Sequence, residues 1–330
     1  MLRHAAFTLI ALTATPALAD WNRPALDREI ARIERDAKGR LGVALIDLKD
    51  RESWSHRGAE PFPMQSVFKL PLAVAVLQAV EAGKLRLDQP ITITRKDVSL
   101  YHSPIAERFK GDSATYPLRE LLRLSTAESD NTAADLLMRL VGGPEAVTAM
   151  LKQGDVAGLS IDRYERVFQP EIQGLPGYGW DVAIDRAGFL ARLAATPPEA
   201  RRKSLEASLT DRRDSATPDG SAAFLEALAK GNWLRDPAHT ALLVKMATET
   251  KSGPQRLIAG LPKGARLAHK TGLGPSAAGL NHATNDIGIV TLPNGRVFAI
   301  AVYLAGSQAT ATEREAAHAA VARAAVAALR

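Results

Sequence analysis

The chain has 330 residues, of which 46% are hydrophobic and none is cysteine, and it carries a formal net charge of +6. Without cysteine it cannot form disulfide bonds, so a hydrophobic core must stabilise the fold. The basic residues are spread along the sequence and are not interleaved with aromatic residues, which argues against a nucleic-acid-binding surface.

The first residues are typical of an export signal. Arg3 precedes an apolar run over residues 5–13, and residues 17–19 (Ala-Leu-Ala) form a small-x-small pattern that a signal peptidase accepts. The apolar run is too short to span a bilayer, which takes about 20 residues. The sequence therefore predicts a signal peptide over residues 1–19, cleavage after Ala19, and a periplasmic or secreted protein without a membrane anchor.

The mature chain begins with a predicted helix that is followed by strands. Leu26, Ile30 and Ile33 recur at helical spacing and give this helix an apolar face. Residues 41–48 have the β-type content of a strand, and the charged residues 47–52 predict a turn into a second strand.

The middle of the chain is predicted to be mostly helical, with helical periodicity over residues 70–82, 118–124, 132–141 and 220–229. The last quarter returns to strands, which are predicted over residues 265–271, 286–292 and 297–304. The last two strands form a hairpin around Asn294 and Gly295, a two-residue turn signal. An alanine-rich helix is predicted over residues 312–329.

These elements predict an α/β fold of the α+β sandwich type, in which an antiparallel sheet is flanked by the terminal helices. The predicted α/β domain comprises residues 20–61 and 258–330. An all-α domain is inserted over residues 62–257 and includes a long loop over residues 160–217. A small-molecule site is expected in the cleft between the two domains.

A candidate nucleophile, Ser66, lies where a polar loop enters a long apolar helix, near the positive end of the helix dipole. Lys69 follows three residues later, which places both side chains on one face of the helix, one turn apart. A neutral amine at this spacing can activate a serine as a nucleophile. The competing interpretation is a helix cap followed by a surface lysine, and the Ser-x-x-Lys pattern alone leaves both open.

Two tripeptides offer further polar groups. Residues 129–131 (Ser-Asp-Asn) precede a helix, where they are either an N-cap or a proton relay beside a substrate amide. Residues 270–272 (Lys-Thr-Gly) end a strand, where lysine and threonine can bind a carboxylate and glycine admits close approach of a ligand. Residues 251–253 (Lys-Ser-Gly) are a rival match, but their position between a helix and Pro254 favours a helix C-terminus.

In order and spacing, these motifs resemble those of class A serine β-lactamases and penicillin-binding proteins. Residues 62–69 are similar to the family's nucleophile segment, residues 127–134 to its second motif, and residues 268–272 and 284–288 to its sheet region. The resemblance covers most of the mature chain. It implies hydrolysis of the β-lactam amide bond through a serine acyl-enzyme.

The resemblance also assigns roles to matching residues. It implies that Ser66 is acylated, that Lys69 assists it, and that Ser129 passes a proton to the β-lactam nitrogen. The oxyanion hole would be formed by the backbone N–H groups of Ser66 and Leu273. The residues implied in binding the substrate are Asn131, Lys270, Thr271, Gly272 and Leu273.

A glutamate that activates the deacylating water is expected on the loop after the second motif. Arg163 and Glu165 resemble the family's pattern there, although Gln169 stands in place of the usual asparagine and the loop is greatly lengthened. Glu171 is therefore a rival. A surface acid without a catalytic role is the remaining interpretation, and Glu165 is favoured.

Arg256 and Tyr101 complete the predicted substrate site. Some class A enzymes place a carboxylate-binding arginine on the strand after the third motif, where this chain has Thr284. Arg256 matches the position that other members use, and Tyr101 resembles an aromatic residue at the rim of the cleft. A solvated arginine and an ordinary packing tyrosine are the competing interpretations.

The resemblance implies neither a metal nor a cofactor, and His102 and His269 are interpreted as structural residues. The predicted partner is a small-molecule β-lactam bound by a monomer, with no nucleic acid and no membrane anchor. Two alternatives stay open: a D,D-peptidase or penicillin-binding protein, which deacylates slowly, and a noncatalytic periplasmic binding or sensing module.

Overall fold

The computed structural model of the protein describes residues 21–180 and 185–329, so the predicted signal peptide lies outside the described residues. In chain order the elements are α1 (Arg23–Asp36), β1 (Arg40–Asp47), β2 (Ser53–His56), β3 (Phe62–Pro63), a 3-10 helix (Gln65–Phe68), α2 (Lys69–Glu81), β4 (Pro90–Thr94), α3 (Pro104–Arg108), β5 (Ser113–Pro117), α4 (Leu118–Ala127), α5 (Asn131–Leu140), α6 (Pro144–Gln153), β6 (Leu159–Ser160), α7 (Glu165–Glu171), α8 (Arg186–Ala195), α9 (Pro198–Ser208), β7 (Ser215–Ala216), α10 (Pro218–Ala229), α11 (Pro237–Thr248), α12 (Leu257–Gly260), β8 (Arg266–Leu273), β9 (Ser276–Ala277), β10 (Leu280–Thr291), β11 (Val297–Ser307) and α13 (Ala311–Ala328).

The central sheet is antiparallel and has the strand order β2-β1-β11-β10-β8, with β9 paired to β10. Alternate side chains of β11 enter two different cores because successive residues of a strand point to opposite faces. Phe298, Ile300 and Val302 pack with α1 and α13, whereas Ala301 and Tyr303 pack with the helices on the other side. The antiparallel sheet covered by terminal helices, as predicted from the sequence, is confirmed.

The turn between β10 and β11 differs from the predicted two-residue turn. Leu292 N–H donates to the Arg296 carbonyl, and three residues, Pro293 to Gly295, lie between them. A two-residue turn of the Asn-Gly type needs a positive φ at both residues. Only Gly295, at +84°, has one, while Pro293 fixes a negative φ at the start of the loop.

Two other segments depart from the sequence predictions. The predicted loop over residues 160–217 is largely ordered secondary structure, since it contains α7, α8 and α9. Its ends meet where β6 pairs with β7, which also pairs with β3. In the region expected to be helical, β4 and β5 form a separate two-stranded sheet.

The strands of the main sheet lie before residue 61 and after residue 258, and the helices α2 to α11 lie between them. We therefore propose that the chain divides at the predicted bounds, into residues 20–61 with 258–330 and residues 62–257. Over residues 21–180 and 185–329, no helix is both long and apolar enough to cross a membrane.

Candidate active site

Ser66 lies in the 3-10 helix that leads into α2, rather than in the first turn of an α-helix as predicted. Residues three apart eclipse one another in a 3-10 turn, so Ser66 and Lys69 still share one side. Lys69 Nζ donates to Ser66 Oγ at 3.1 Å and to Asn131 Oδ1 at 2.5 Å. The predicted pairing of serine and lysine is therefore present in the structure.

The charge state of the two buried lysines depends on their surroundings. Both Lys69 and Lys270 are fully buried. Burial lowers the pKa of Lys69, although the nearby Glu165 carboxylate, 3.5 Å from Nζ, opposes this shift. The pKa of Lys270 lies well below its usual value because of burial and the positive charge of Lys69. A lowered pKa makes a neutral amine, which can accept a proton, more accessible.

Ser129 stands between the two lysines. Its Oγ accepts a hydrogen bond from Lys270 Nζ at 3.0 Å and a longer one from Lys69 Nζ at 3.4 Å. The Ser129 backbone has φ +59°, an uncommon value outside glycine. The buried Asp130 carboxylate fixes the neighbouring chain, because it accepts the N–H groups of Ile105 and Ala133.

The third motif lies on β8, as predicted. The Thr271 hydroxyl is 2.5 Å from Ser252 Oγ, so the rival tripeptide supplies a neighbour to the motif rather than replacing it. Gly272 has no room for a side chain, since an added Cβ would be 2.7 Å from the Met64 carbonyl oxygen. This close approach brings β8 against the segment that carries Ser66.

Glu165 is the predicted acid that reaches Ser66. Ser66 Oγ donates to Glu165 Oε1 at 3.4 Å, and the Glu165 side chain is buried. Glu165 begins helix α7, whose N-cap residue Tyr164 makes no capping hydrogen bond. Asp135 on α5 provides that function instead, because its carboxylate accepts the N–H groups of Glu165 at 2.7 Å and Arg166 at 3.0 Å. Burial, reinforced by the Glu165 charge, raises the pKa of Asp135 to about 7.

The rival Glu171 lies in a different network. Its carboxylate forms an ion pair with Arg163 Nη1 at 3.1 Å and accepts a hydrogen bond from Arg213 Nη2 at 3.0 Å. Arg163 also donates from Nε to Asp214 at 2.6 Å. These ion pairs link the two ends of the segment over residues 160–217, and the side chains that form them do not contact Ser66.

Gln169, on the same helix as Glu165, lies beside it. Its Nε2 group donates one hydrogen bond to Glu165 Oε2 at 2.9 Å and another to Gln65 Oε1 at 2.8 Å. The two N–H bonds of the amide are thereby used. Its Oε1 accepts no hydrogen bond from any residue that the structure describes, and Gln169 contributes to the wall of the cavity.

Arg256 is buried beside Thr271 and faces the cavity. Its Nη1 donates to the Asn285 carbonyl at 3.0 Å, and Nε is 3.5 Å from Glu315 Oε1. Gly253 permits this position, since a Cβ there would be 2.9 Å from the Arg256 side chain. The solvated-helix interpretation of Arg256 is therefore wrong.

These side chains surround a cavity of about 500 Å³. Tyr101 and Leu273 lie on its wall, as does His102, for which the sequence predicts a structural role. The His102 ring does have a structural partner, the Glu128 carbonyl at 2.9 Å, but it also borders the cavity. The lining residues are Ser66, Tyr101, His102, Ser129, Asn131, Gln169, Ser252, Gly253, Arg256, Thr271, Leu273, Gly274, Pro275 and Glu315.

Helices α8 and α9, which lie in the segment over residues 160–217, pack behind this cavity. Phe189 of α8 makes edge contacts with Tyr101 and Tyr178, with ring centroids 5.2 and 5.3 Å apart. Leu205 of α9 is buried among apolar residues of α7, of its C-cap and of strands β9 and β10, namely Phe168, Ile172, Ala277 and Leu280. Within the described parts of the chain, no group of three or more histidine or acidic side chains is arranged to hold a metal ion.

A model of the β-lactamase enzyme family matches residues 25–329 of the chain. The extended-spectrum β-lactamase PER-1 of Pseudomonas aeruginosa is 32% identical over 312 residues, which cover 94% of this chain and 89% of that protein. β-Lactamase L2 of Stenotrophomonas maltophilia is 31% identical over 277 residues, which cover 84% of this chain and 77% of that protein.

Solved structures agree with these sequence matches. A β-lactamase from Chitinophaga pinensis has a TM-score of 0.75 and 32% identity, over 91% of this chain and 97% of that one. The class A β-lactamase of the last common ancestor of Gram-negative bacteria has a TM-score of 0.74 and 37% identity, over 92% of this chain and 99% of that one. The chain thus belongs to the β-lactamase enzyme family and is a class A serine β-lactamase, an enzyme that hydrolyses the β-lactam amide bond.

Proposed function

We propose that acylation takes place on Ser66 and that either Lys69 or Glu165 accepts the proton of the Ser66 hydroxyl. The observation that carries this proposal is the contact of Ser66 Oγ with both Lys69 Nζ, at 3.1 Å, and Glu165 Oε1, at 3.4 Å. As the hydroxyl attacks the β-lactam carbonyl, its proton leaves to one of these bases, and the amide C–N bond then breaks. Ser129, held by Lys270, delivers a proton to the departing nitrogen.

The remaining predicted residues bind the substrate in this proposal. The backbone N–H groups of Ser66 and Leu273 stabilise the oxyanion, and Asn131 holds the amide side chain. Lys270 and Thr271 receive the substrate carboxylate, with Gly272 permitting the close approach of β8. Tyr101 forms part of the wall against which the rest of the substrate packs.

Deacylation needs a water molecule held against the acyl carbonyl. We assign its activation to Glu165, because this carboxylate is already in contact with Ser66 Oγ. Gln169 orients Glu165 through an N–H group and has a free carbonyl oxygen, which can accept a hydrogen bond from that water. This arrangement favours rapid hydrolysis and therefore favours a β-lactamase over a slowly deacylating D,D-peptidase.

The proposal also includes the export, the cellular location and the oligomeric state of the protein. The pattern of residues 1–19 supports export with cleavage after Ala19, which gives a periplasmic or secreted enzyme. The proposal keeps the predicted monomer.

One preparation tests both parts of the proposal. Protein recovered from the periplasm of a bacterial host should begin at Asp20 by intact mass and elute as a monomer on size-exclusion chromatography. It should also turn over nitrocefin many times per active site. A single stoichiometric burst without turnover would instead indicate a penicillin-binding protein, and no reaction at all a binding module.

We expect Arg256 to help bind the substrate carboxylate, because its Nη2 donates to no described residue and the side chain borders the cavity. Arg256→Ala should lower kcat/KM by about 1–3 kcal/mol equivalent, the usual effect of losing a charge-assisted hydrogen bond. Steady-state kinetics with a penicillin measure this change. Arg266→Ala, at an exposed arginine where β8 begins, is the control, and equal kinetics for the two variants would contradict the assignment.

A further inference from the structure

A buried chain of hydrogen bonds connects the inserted helix α9 to the catalytic centre. Gln65 Nε2 lies 2.9 Å from His282 Nδ1, and His282 Nε2 lies 2.9 Å from Ser208 Oγ on α9. On its other side, Gln65 Oε1 accepts from Gln169 Nε2, which also donates to Glu165. His282 and Gln65 are both about 1% exposed, so water does not replace these partners.

The bonds in this chain can run in only one direction. The Ser208 hydroxyl donates to the Leu205 carbonyl at 2.8 Å, so its oxygen is left to accept from His282 Nε2–H. The ring is neutral, since burial lowers the pKa of His282 to about 4. With its proton on Nε2, Nδ1 must be an acceptor, and it therefore faces the NH₂ end of the Gln65 amide.

The orientation of Gln65 then determines that of Gln169. Gln65 presents its carbonyl oxygen to Gln169, so Gln169 must turn its NH₂ group inward, where it can donate to Glu165 as well. If both amides were reversed, the Gln169 carbonyl oxygen would face the Glu165 carboxylate and the two would repel each other. A single histidine tautomer thus favours the arrangement that holds the carboxylate.

We propose that His282 is a positioning residue for deacylation, which orients the Gln65 and Gln169 amides so that Glu165 is held beside Ser66. This inference rests on the role proposed above for Glu165. Helix α9 then contributes to deacylation indirectly, because its Ser208 selects the tautomer of His282.

Replacing His282 tests the inference. His282→Leu removes the acceptor and leaves a buried amide donor of Gln65 unpaired, so we expect Gln65 to leave its position and deacylation to slow about tenfold. Slower deacylation lets acyl-enzyme accumulate, so kcat and KM should both fall. Mass spectrometry during turnover of a penicillin should show a larger fraction of acyl-enzyme.

Two further variants separate positioning from a loss of packing. His282→Asn keeps an acceptor near the position of Nδ1 and should restore the deacylation rate to within about twofold. Ser208→Ala leaves the core intact but removes the group that selects the tautomer, and should slow deacylation about threefold. It also serves as the test if His282→Leu does not fold.

The matched control is His318→Leu, since His318 is another fully buried histidine and its pKa is also lowered to about 4 by burial. It lies on α13 and its Nδ1 contacts the Arg314 carbonyl, so its replacement should leave the deacylation rate unchanged. Normal deacylation in His282→Leu and Ser208→Ala, or an equal loss in His318→Leu, would overturn the inference. If Glu165→Ala traps the acyl-enzyme while these variants do not slow deacylation, only the inference fails; if Glu165→Ala does not trap it, the proposed function fails.

Discussion

Replacing Ser66 by alanine should abolish covalent labelling of the protein by penicillin and lower kcat/KM by about 10⁴-fold or more. Ser66 is the serine whose Oγ contacts both Lys69 and Glu165, whereas Ser129 contacts lysine side chains alone. Its hydroxyl is therefore the one placed to lose a proton as it attacks. Intact-mass and peptide-mapping mass spectrometry after incubation with penicillin measure the label directly.

Ser252→Ala is the control for the Ser66 variant, because Ser252 also borders the cavity but its hydroxyl bonds, among the described side chains, to the Thr271 hydroxyl alone. It should be acylated on Ser66 like the parent enzyme. Labelling of Ser66→Ala at the parental rate would show that another residue is the nucleophile.

Replacing Glu165 by alanine should leave an enzyme that is acylated but accumulates the acyl-enzyme, with deacylation slowed about 10³-fold. The carboxylate is buried, is oriented by Gln169 and lies within reach of Ser66 Oγ. Because the contribution of the lysine and of the glutamate to acylation is disputed for this class, only the deacylation rate is predicted. Rapid quenching followed by mass spectrometry should show nearly complete acylation at steady state.

Glu171→Ala is the matched control, since Glu171 is the other glutamate of helix α7 and contacts arginine side chains instead of Ser66. It should turn over substrate at nearly the parental rate. Trapping in Glu171→Ala with normal turnover in Glu165→Ala would reverse the assignment of the catalytic base.

The sequence predicts the sheet well because its pattern is local. Strands β8, β10 and β11 are marked by β-forming residues, and alternating positions of β11 enter two cores. The sequence does not predict helices α8 and α9, because the resemblance implies a single lengthened loop there. The β4–β5 sheet is not predicted because its strands are short, pair Pro90 with Pro117 at one end and carry little periodic signal.

In the candidate site too, the sequence predicts the contacts between residues close in the chain and not those between distant residues. Ser66 and Lys69 are three residues apart, so their spacing on a helix reveals their contact. Asp135 holds Glu165 across 30 residues, and Gln65 meets His282 across 217 residues. Contacts of this kind are created by the tertiary fold, and no local pattern marks Asp135 or His282 as a partner of the catalytic side chains.

The two ends of the segment over residues 160–217 are joined, and this affects how the segment can vary in length. Pairing of β6 with β7 and the bond from Arg163 to Asp214 bring the two ends together. Once such ends are joined, doubling the length of the chain between them adds only about 0.6 kcal/mol of loop-closure entropy. Insertions and deletions between these joined ends therefore cost little stability, and the part of the cleft wall that they carry can change over evolution where Ser208 and the residues around Glu165 are kept.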